Sequence, residues 1–396
     1  MTDLTDKEIV IAGAGIAGLT SALCCAAHGF AVTVVEKAPA LTDVGAGIQL
    51  SPNATRVLAA LGLLESLRAR GTVPASLGMR DGITGKQVFR IPAPGSSNAP
   101  YLQVHRADVI ETLGNAVELH PLIRLRLGAA VAHCDAEVGR LVLENGEHAE
   151  GAVLIGADGV HSLLRQRVFN DGAASYTGQG AWRVTVPTAA LPGPLLSGEP
   201  TVWAGPGRHA VTYQLQGGAL TNFVGVVESR HWPDTSWHSA GQKDEALADF
   251  AGWHPDVTNV LRAAKQHYRW ALLSRPLPAS WQLGRCVLVG DAAHPILPFM
   301  AQGASMAIED AWLLAAMLGQ GGDMPLAGDP FTRLRQPRVA RVRQLSIDNG
   351  VRYHRGSTLG RWVSRTPLRS AAMVAPTLIQ SRLRWLYDYD PTQAFA

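Results

Sequence analysis

The chain has 396 residues, 47% of them apolar and 17% charged, with a formal charge of +3. That balance excludes a disordered chain, and the length exceeds one ordinary domain, so two domains sharing a cleft are expected. The longest apolar stretch, Ile9 to Val35, is broken by glycines, Thr20, Ser21 and His28, which fits a buried βαβ unit better than a bilayer span.

In chain order, Met1–Lys7 is short, polar and unlike a signal peptide. Ile9-Val10-Ile11-Ala12 is a continuous apolar run, as in a parallel strand buried on both faces. Gly13-Ala14-Gly15-Ile16-Ala17-Gly18 follows at once. Leu19 to His28 suits a tightly packed helix, Gly29 stops it, and Ala31 to Val35 reads as the next strand. Two later runs, Ala152 to Ile155 and Cys286 to Val289, end in glycine and aspartate and are expected in the same sheet. Segments near 76–100 and 173–275 then have to lie outside it. Residues 178–227, with stretches such as Ala210-Val211-Thr212-Tyr213-Gln214-Leu215, read as antiparallel strands. Ser305 to Leu318 and Leu359 to Leu386 read as helices.

The expected fold class is therefore α/β: a Rossmann-like nucleotide-binding domain, an inserted mixed or antiparallel β-sheet domain, and C-terminal helices. The first domain is drawn over 1–75, 101–172 and 276–345, the second over 76–100 and 173–275, and the helical segment over 346–396.

Residues 331–385 hold twelve arginines and one acid, Asp348, so this segment carries about +11 and the remainder about −8. It reads first as a solvated helical face and second as an interface or an acidic-lipid contact. No nucleic-acid motif accompanies the charge. Cys24, Cys25, Cys134 and Cys286 show neither CxxC nor zinc spacing, so reduced thiols and a cytoplasmic location are expected, with no metal.

Gly13, Gly15 and Gly18 have three separate duties in a dinucleotide turn: the tight bend, the approach of a pyrophosphate, and close packing of helix on strand. Glu36, eighteen residues beyond Gly18, closes the second strand where a carboxylate can accept from a ribose diol. This unit alone leaves FAD and NAD both open. Disulfide reductases share it but need a redox cysteine pair, which is absent.

The later motifs carry a resemblance. Gly45-Ala46-Gly47-Ile48-Gln49-Leu50-Ser51-Pro52-Asn53, His105-Arg106-Ala107-Asp108, Ala157-Asp158-Gly159-Val160-His161-Ser162 and Gly290-Asp291-Ala292-Ala293-His294-Pro295 occur in order, followed by Pro298-Phe299-Met300-Ala301-Gln302-Gly303-Ala304. Over nearly its whole length the chain resembles the single-component FAD-dependent aromatic hydroxylases, such as the salicylate, 3-hydroxybenzoate, 6-hydroxynicotinate and 4-hydroxybenzoate hydroxylases. The resemblance implies tightly bound FAD, with Gly47 and Ile48 along the flavin as a glycine-rich turn, and Arg106 reaching the ribityl or phosphate region. It implies Asp158 in FAD and NAD(P)H binding, Asp291 on the ribityl chain, Gly303 and Ala304 at the pyrimidine edge, and Pro298 beside the site of oxygen transfer. Ala17, Lys37 and Val131 join the cofactor-binding set. Without the resemblance, Asp158 reads as a residue near a helix N-cap and His294 as a packing or hydrogen-bonding residue.

The resemblance implies hydroxylation of an aromatic substrate, phenolic or heteroaromatic, through a flavin hydroperoxide, with transient NADH or NADPH and dioxygen as co-substrates. His209 and Tyr213, four apart, share a strand face, and the resemblance implies that this pair orients or deprotonates a phenol, His209 acting directly or through Tyr213. Arg183 and Arg208 are the nearest cations, with surface placement expected for both. The alternative is epoxidation or hydroxylation of an isoprenoid or quinone precursor at a membrane surface. A monomer or homodimer is expected, with no nucleic-acid partner.

Overall fold

The computed structural model describes residues 8–41, 46–193, 195, 198–229, 239–320, 329–355 and 381–395. The apolar runs pair into one six-stranded sheet in the order Gln282–Leu283, Cys286–Leu288, Val153–Gly156, Ile9–Ala12, Val32–Val35, Ile123–Arg126. All neighbours are parallel except the short first pair. Ala12 lies level with both Gly156 and Val35, and Gly156 level with Leu288, so four strands end together. Loops leaving one end of a parallel sheet form the crevice where such folds bind ligands.

The three central strands are buried throughout because helices cover both faces. The Ile16–Ala27 helix packs along the Gly303–Gly319 helix. Small residues make that approach feasible: a Cβ on Gly290 would stand 3.0 Å from the Ala17 methyl and 3.1 Å from that of Ala307.

The second sheet has eight strands in the order Ser239–Gly241, His267–Ser274, Ser175–Pro187, Leu220–Glu228, Arg208–Leu215, Thr201–Gly205, Ser76–Asp81, Gln87–Pro92. It is antiparallel apart from the Thr201–Gly205 and Ser76–Asp81 pair. One face buries Trp182, Trp203 and Phe223 under the Lys243–Asp249 and Pro255–Ala263 helices, with Phe250 and Trp253 between. The opposite face carries, in cross-strand rows, Ala181-Val226-His209, Arg183-Val224-Val211 and Thr185-Asn222-Tyr213.

Two readings change. Gly47–Leu50, expected within a glycine-rich turn, is a strand paired antiparallel with Leu102–His105, and the Pro52–Ala60 helix follows. The partner strand supplies what the short run lacks by itself.

The arginine segment is not uniformly a solvated face. Within the Pro330–Tyr353 helix, which runs unbroken across the boundary drawn at 345, Arg335 is fully buried between Glu309 (2.8 Å) and Asp310 (2.7 Å). Arg338 makes two bonds to Glu309 and lies over the Tyr389 ring. Arg341 stacks on Trp385 at 3.7 Å. Residues 356–380, including Trp362, lie outside the described residues, while Arg384–Tyr387 is helical. No described helix is long and apolar enough to cross a membrane.

Candidate active site

At the common strand ends the three glycines meet three different surroundings. Gly13 has φ +102°, and a Cβ there would lie 2.5 Å from the Ala157 carbonyl oxygen. A Cβ on Gly18 would lie 1.8 Å from the Gly13 carbonyl oxygen. Gly15 faces open space, with nothing within 4 Å. It caps the Ile16–Ala27 helix with no side-chain bond and no acid in the first turn, leaving the first N–H groups free for an anion. Glu36 holds this turn from the neighbouring strand, its oxygens accepting from Ala14 N–H (2.8 Å) and Ala38 N–H (2.9 Å). Lys37 beside it is exposed. Gly128 and Ala129 bond back to the Ala38 and Glu36 carbonyls, which brings Val131, the first residue of the Val131–Asp135 strand, to the same end.

A second uncapped helix start lies at Gly303 and Ala304. Gln302 makes no cap bond there, the first turn holds no acid, and a Cβ on Gly303 would meet nothing within 4 Å. Gln302 Nε2 donates to Ser51 Oγ (2.9 Å), Ser51 bonds Ser305 (3.1 Å), and Asn53 Nδ2 donates to Glu309 (2.6 Å). This buried polar seam fixes the helix start against the end of the Gly47–Leu50 strand. Arg106 opens the helix that follows the paired strand, and its N–H bonds the Ala46 carbonyl. Burial raises the Asp291 carboxyl above its ordinary range, with His294 and Arg106 acting the other way.

Asp158 and His294 are tied into the scaffold. Asp158 Oδ2 accepts from Leu163 N–H (2.7 Å) and Leu164 N–H (3.2 Å), starting the Leu163–Val168 helix. His294 Nε2 bonds buried Asp310, which also accepts from Gly290 N–H.

The second sheet meets the Gly47 strand through Asn222 and Tyr213. Asn222 Oδ1 accepts from Gly47 N–H at 2.9 Å and from Thr185 at 3.2 Å. A Cβ on Gly47 would stand 2.6 Å from the Tyr213 ring, so only glycine fits; Ile48 sits next along, opposite Val104. His209 is on the same face as Tyr213, about 13 Å away along the strand at about 3.3 Å per residue. The two side chains take different partners: His209 bonds His354 at 2.7 Å, while Tyr213 lies against Gly47 and Asn222. Burial pushes the Tyr213 phenol up and the His209 imidazole well down from their ordinary values.

Between their rows lies Arg183, half-buried, its guanidinium 3.9 Å over the Trp270 ring. This corrects the surface placement expected of it. Arg183 lines a cavity of about 140 Å³ together with Val160, Trp270, Asp291, Leu297 and Pro298. Pro298 opens a short turn whose next residue, Phe299, packs on Ala181, Val226 and Trp270. His209 touches the Phe299 ring, 5.0 Å between centroids, but neither it nor Tyr213 lines this cavity.

Asn222, His354 and Glu228 escaped the sequence reading. Each acts through a partner on another strand or helix, and no local spacing announces such contacts.

An open glycine at one helix start, a second open helix start across the crevice, and a carboxylate at the strand end fit an extended dinucleotide with a ring at its far end. Fold and crevice define a dinucleotide-binding protein. Residues 6–345 match the family model described as FAD binding domain. The chain is 37% identical over 400 residues to the 3-hydroxybenzoate 6-hydroxylase 1 of Aquipseudomonas alcaligenes, covering 98% of this chain and 99% of that one. It is 37% identical over 351 residues to the 6-hydroxynicotinate 3-monooxygenase of Bordetella bronchiseptica, covering 86% and 91%. A solved salicylate hydroxylase substrate complex superposes with a TM-score of 0.83 at 26% identity, covering 98% and 97%. The chain belongs to this FAD-binding family and is an FAD-dependent monooxygenase of the aromatic hydroxylase group.

Proposed function

We propose that the substrate is a small carboxylated phenol or hydroxylated N-heteroaromatic, hydroxylated with NADH or NADPH and dioxygen. The observation that carries this reading is the sheet face over Gly47. An apolar centre of Val211 and Val224 is bounded by His209 at one end, Tyr213 at the other and Arg183 at the side. Such a face suits a flat ring with a hydroxyl and an anionic substituent. The names of the relatives above, a hydroxybenzoate and a hydroxynicotinate, support the same class.

FAD, when bound, takes up hydride from the nicotinamide and activates dioxygen. The chain's residues do the rest. Gly13, Gly15, Ala17, Gly18 and Glu36, with Lys37 and Val131, hold the ADP end, while Arg106, Asp158 and Asp291 hold the middle. The helix start at Gly303 and Ala304 presents N–H groups and a positive dipole end where negative charge collects. Gly47, Ile48 and Pro298 shape the ring's surroundings. Arg183 orients the substrate carboxylate, and His209 holds the phenol proton. The four free, buried cysteines support a reducing compartment such as the cytoplasm.

The test is anaerobic bleaching of the yellow holoenzyme by NADH and by NADPH, alone and with 3-hydroxybenzoate, 6-hydroxynicotinate, salicylate and 3-amino-4-hydroxybenzoate. At least one compound accelerates bleaching and, in air, is consumed with equimolar oxygen. A panel in which no compound does either overturns the reading.

A further inference from the structure

Three side chains from three elements form a continuous hydrogen-bonded line from the sheet interior to solvent. His209, 1% exposed, has Nδ1 2.7 Å from His354 Nε2. His354, at the C-terminal end of the Pro330–Tyr353 helix, has Nδ1 2.8 Å from Glu228 Oε1. The Glu228 side chain is 56% exposed. Phe299 and Tyr353 hold the His209 ring in place, with centroids 5.0 and 5.2 Å away.

The chemistry of the line permits one arrangement of hydrogens. A carboxylate only accepts, so His354 Nδ1–H donates to Glu228. A neutral imidazole has one N–H, so His354 Nε2 accepts, His209 Nδ1–H donates, and His209 Nε2 is left with its lone pair. Both rings are held neutral: burial lowers His209, with His354 adding to the effect, and burial lowers His354, with Arg208 in the same direction and Glu228 against. Among the described residues the Tyr353 phenol also lies against the line; burial pushes it up to about 12, with Arg352 acting the other way, and it stays protonated.

We propose that Glu228 and His354 are positioning residues that fix the tautomer of His209 and carry a substrate proton between it and water. The proposal rests on the hydroxylase reading. The substrate O–H bond breaks and its proton joins His209 Nε2; the Nδ1 proton of His209 moves to His354 Nε2; the Nδ1 proton of His354 moves to Glu228 and on to water. One proton enters, one leaves, and no net charge stays on either ring. When the hydroxylated ring regains aromaticity, its carbon loses a proton and its oxygen takes one up. The line then runs backwards and recovers its starting tautomers.

Two measurements test this. Long-range proton–nitrogen spectra of the FAD-loaded enzyme labelled with ¹⁵N-histidine, assigned with His209→Asn and His354→Asn, show both rings protonated on Nδ1. In Glu228→Ala, His209 loses that single form. A wild-type proton on His209 Nε2, or an unchanged Glu228→Ala spectrum, overturns the proposal without any substrate. In turnover of 3-hydroxybenzoate and 6-hydroxynicotinate, Glu228→Gln lowers kcat about 10- to 100-fold near pH 7, within the reach of general-base catalysis, and leaves KM little changed. The deficit closes as pH rises toward the phenol's own ionisation. An equal deficit at every pH, or none, overturns the transport step. If the wild type turns over none of the four compounds named above, the proposed substrate class is what fails, and the spectra still decide whether Glu228 sets His209.

Discussion

Replacing Gly15 with alanine separates the dinucleotide role of the turn from its structural one. Gly15 has φ −76° and ψ −173°, a conformation alanine adopts freely, and nothing lies within 4 Å of the added methyl. Substitution at such a compatible site stabilises by about 0.4–1 kcal/mol through the unfolded chain. Spread over an unfolding entropy of about 2.1 cal/mol/K per residue, that moves the apoprotein Tm by about 1 °C or less. FAD binding responds differently, because the methyl occupies the approach to the first helical N–H groups. Losing one charge-assisted bond to a phosphate costs about 1.5–3 kcal/mol, so Kd rises roughly 10- to 150-fold. Gly13→Ala is the control: its strained φ and the 2.5 Å approach to Ala157 lower the apoprotein Tm by several degrees. Melting of stripped protein and fluorescence titration with FAD measure both quantities. A Gly15→Ala protein that melts several degrees low yet binds FAD normally would refute the reasoning.

Three further outcomes are expected. Arg335→Met leaves Glu309 and Asp310 buried without their shared cation and costs about 3–5 kcal/mol in urea unfolding; a loss under 1 kcal/mol contradicts the buried network. Folded His209 binds a proton less readily than the unfolded chain, so its contribution is complete above about pH 6.5 and is lost at about 1.4 kcal/mol per pH unit as pH falls, until the folded group also titrates. Urea midpoints between pH 7 and 5 should therefore fall less steeply in His209→Asn than in the wild type, and parallel slopes count against burial as the cause. Arg183→Met should cut kcat/KM for 3-hydroxybenzoate roughly 10- to 150-fold while sparing 3-hydroxybenzamide, and equal losses on both would remove Arg183 from carboxylate recognition.

The nucleotide half of the fold was legible because buried parallel strands must be continuously apolar and a dinucleotide turn must be glycine where backbone or ligand comes close. Ile9–Ala12, Val153–Gly156 and Cys286–Leu288 all follow from that pattern. His209 and Tyr213 share a face for the same geometric reason, a two-residue strand period. What stayed hidden depends on partners far along the chain. Arg335 and Arg338 repeat like a solvated stripe, and only the fold brings Glu309 and Asp310 beneath them. Arg183 looked like a surface cation until Trp270, 87 positions later, was seen under its guanidinium. The Gly47–Leu50 strand is too short to declare itself without Leu102–His105 beside it.

The parallel pairing of Ser76–Asp81 with Thr201–Gly205 sets a timetable for making this enzyme. Residue 81 is synthesised 120 positions before residue 201, an interval of about 6–24 s at roughly 5–20 residues per second. Throughout it the Ser76–Pro92 hairpin has an open edge and no sheet to join. The crevice closes later still, since the Cys286–Leu288 strand and the helix beginning at Gly303 come after seven-tenths of the chain. FAD therefore finds its full site only near the end of translation, and a nascent chain waiting for it has to be kept from pairing with its neighbours.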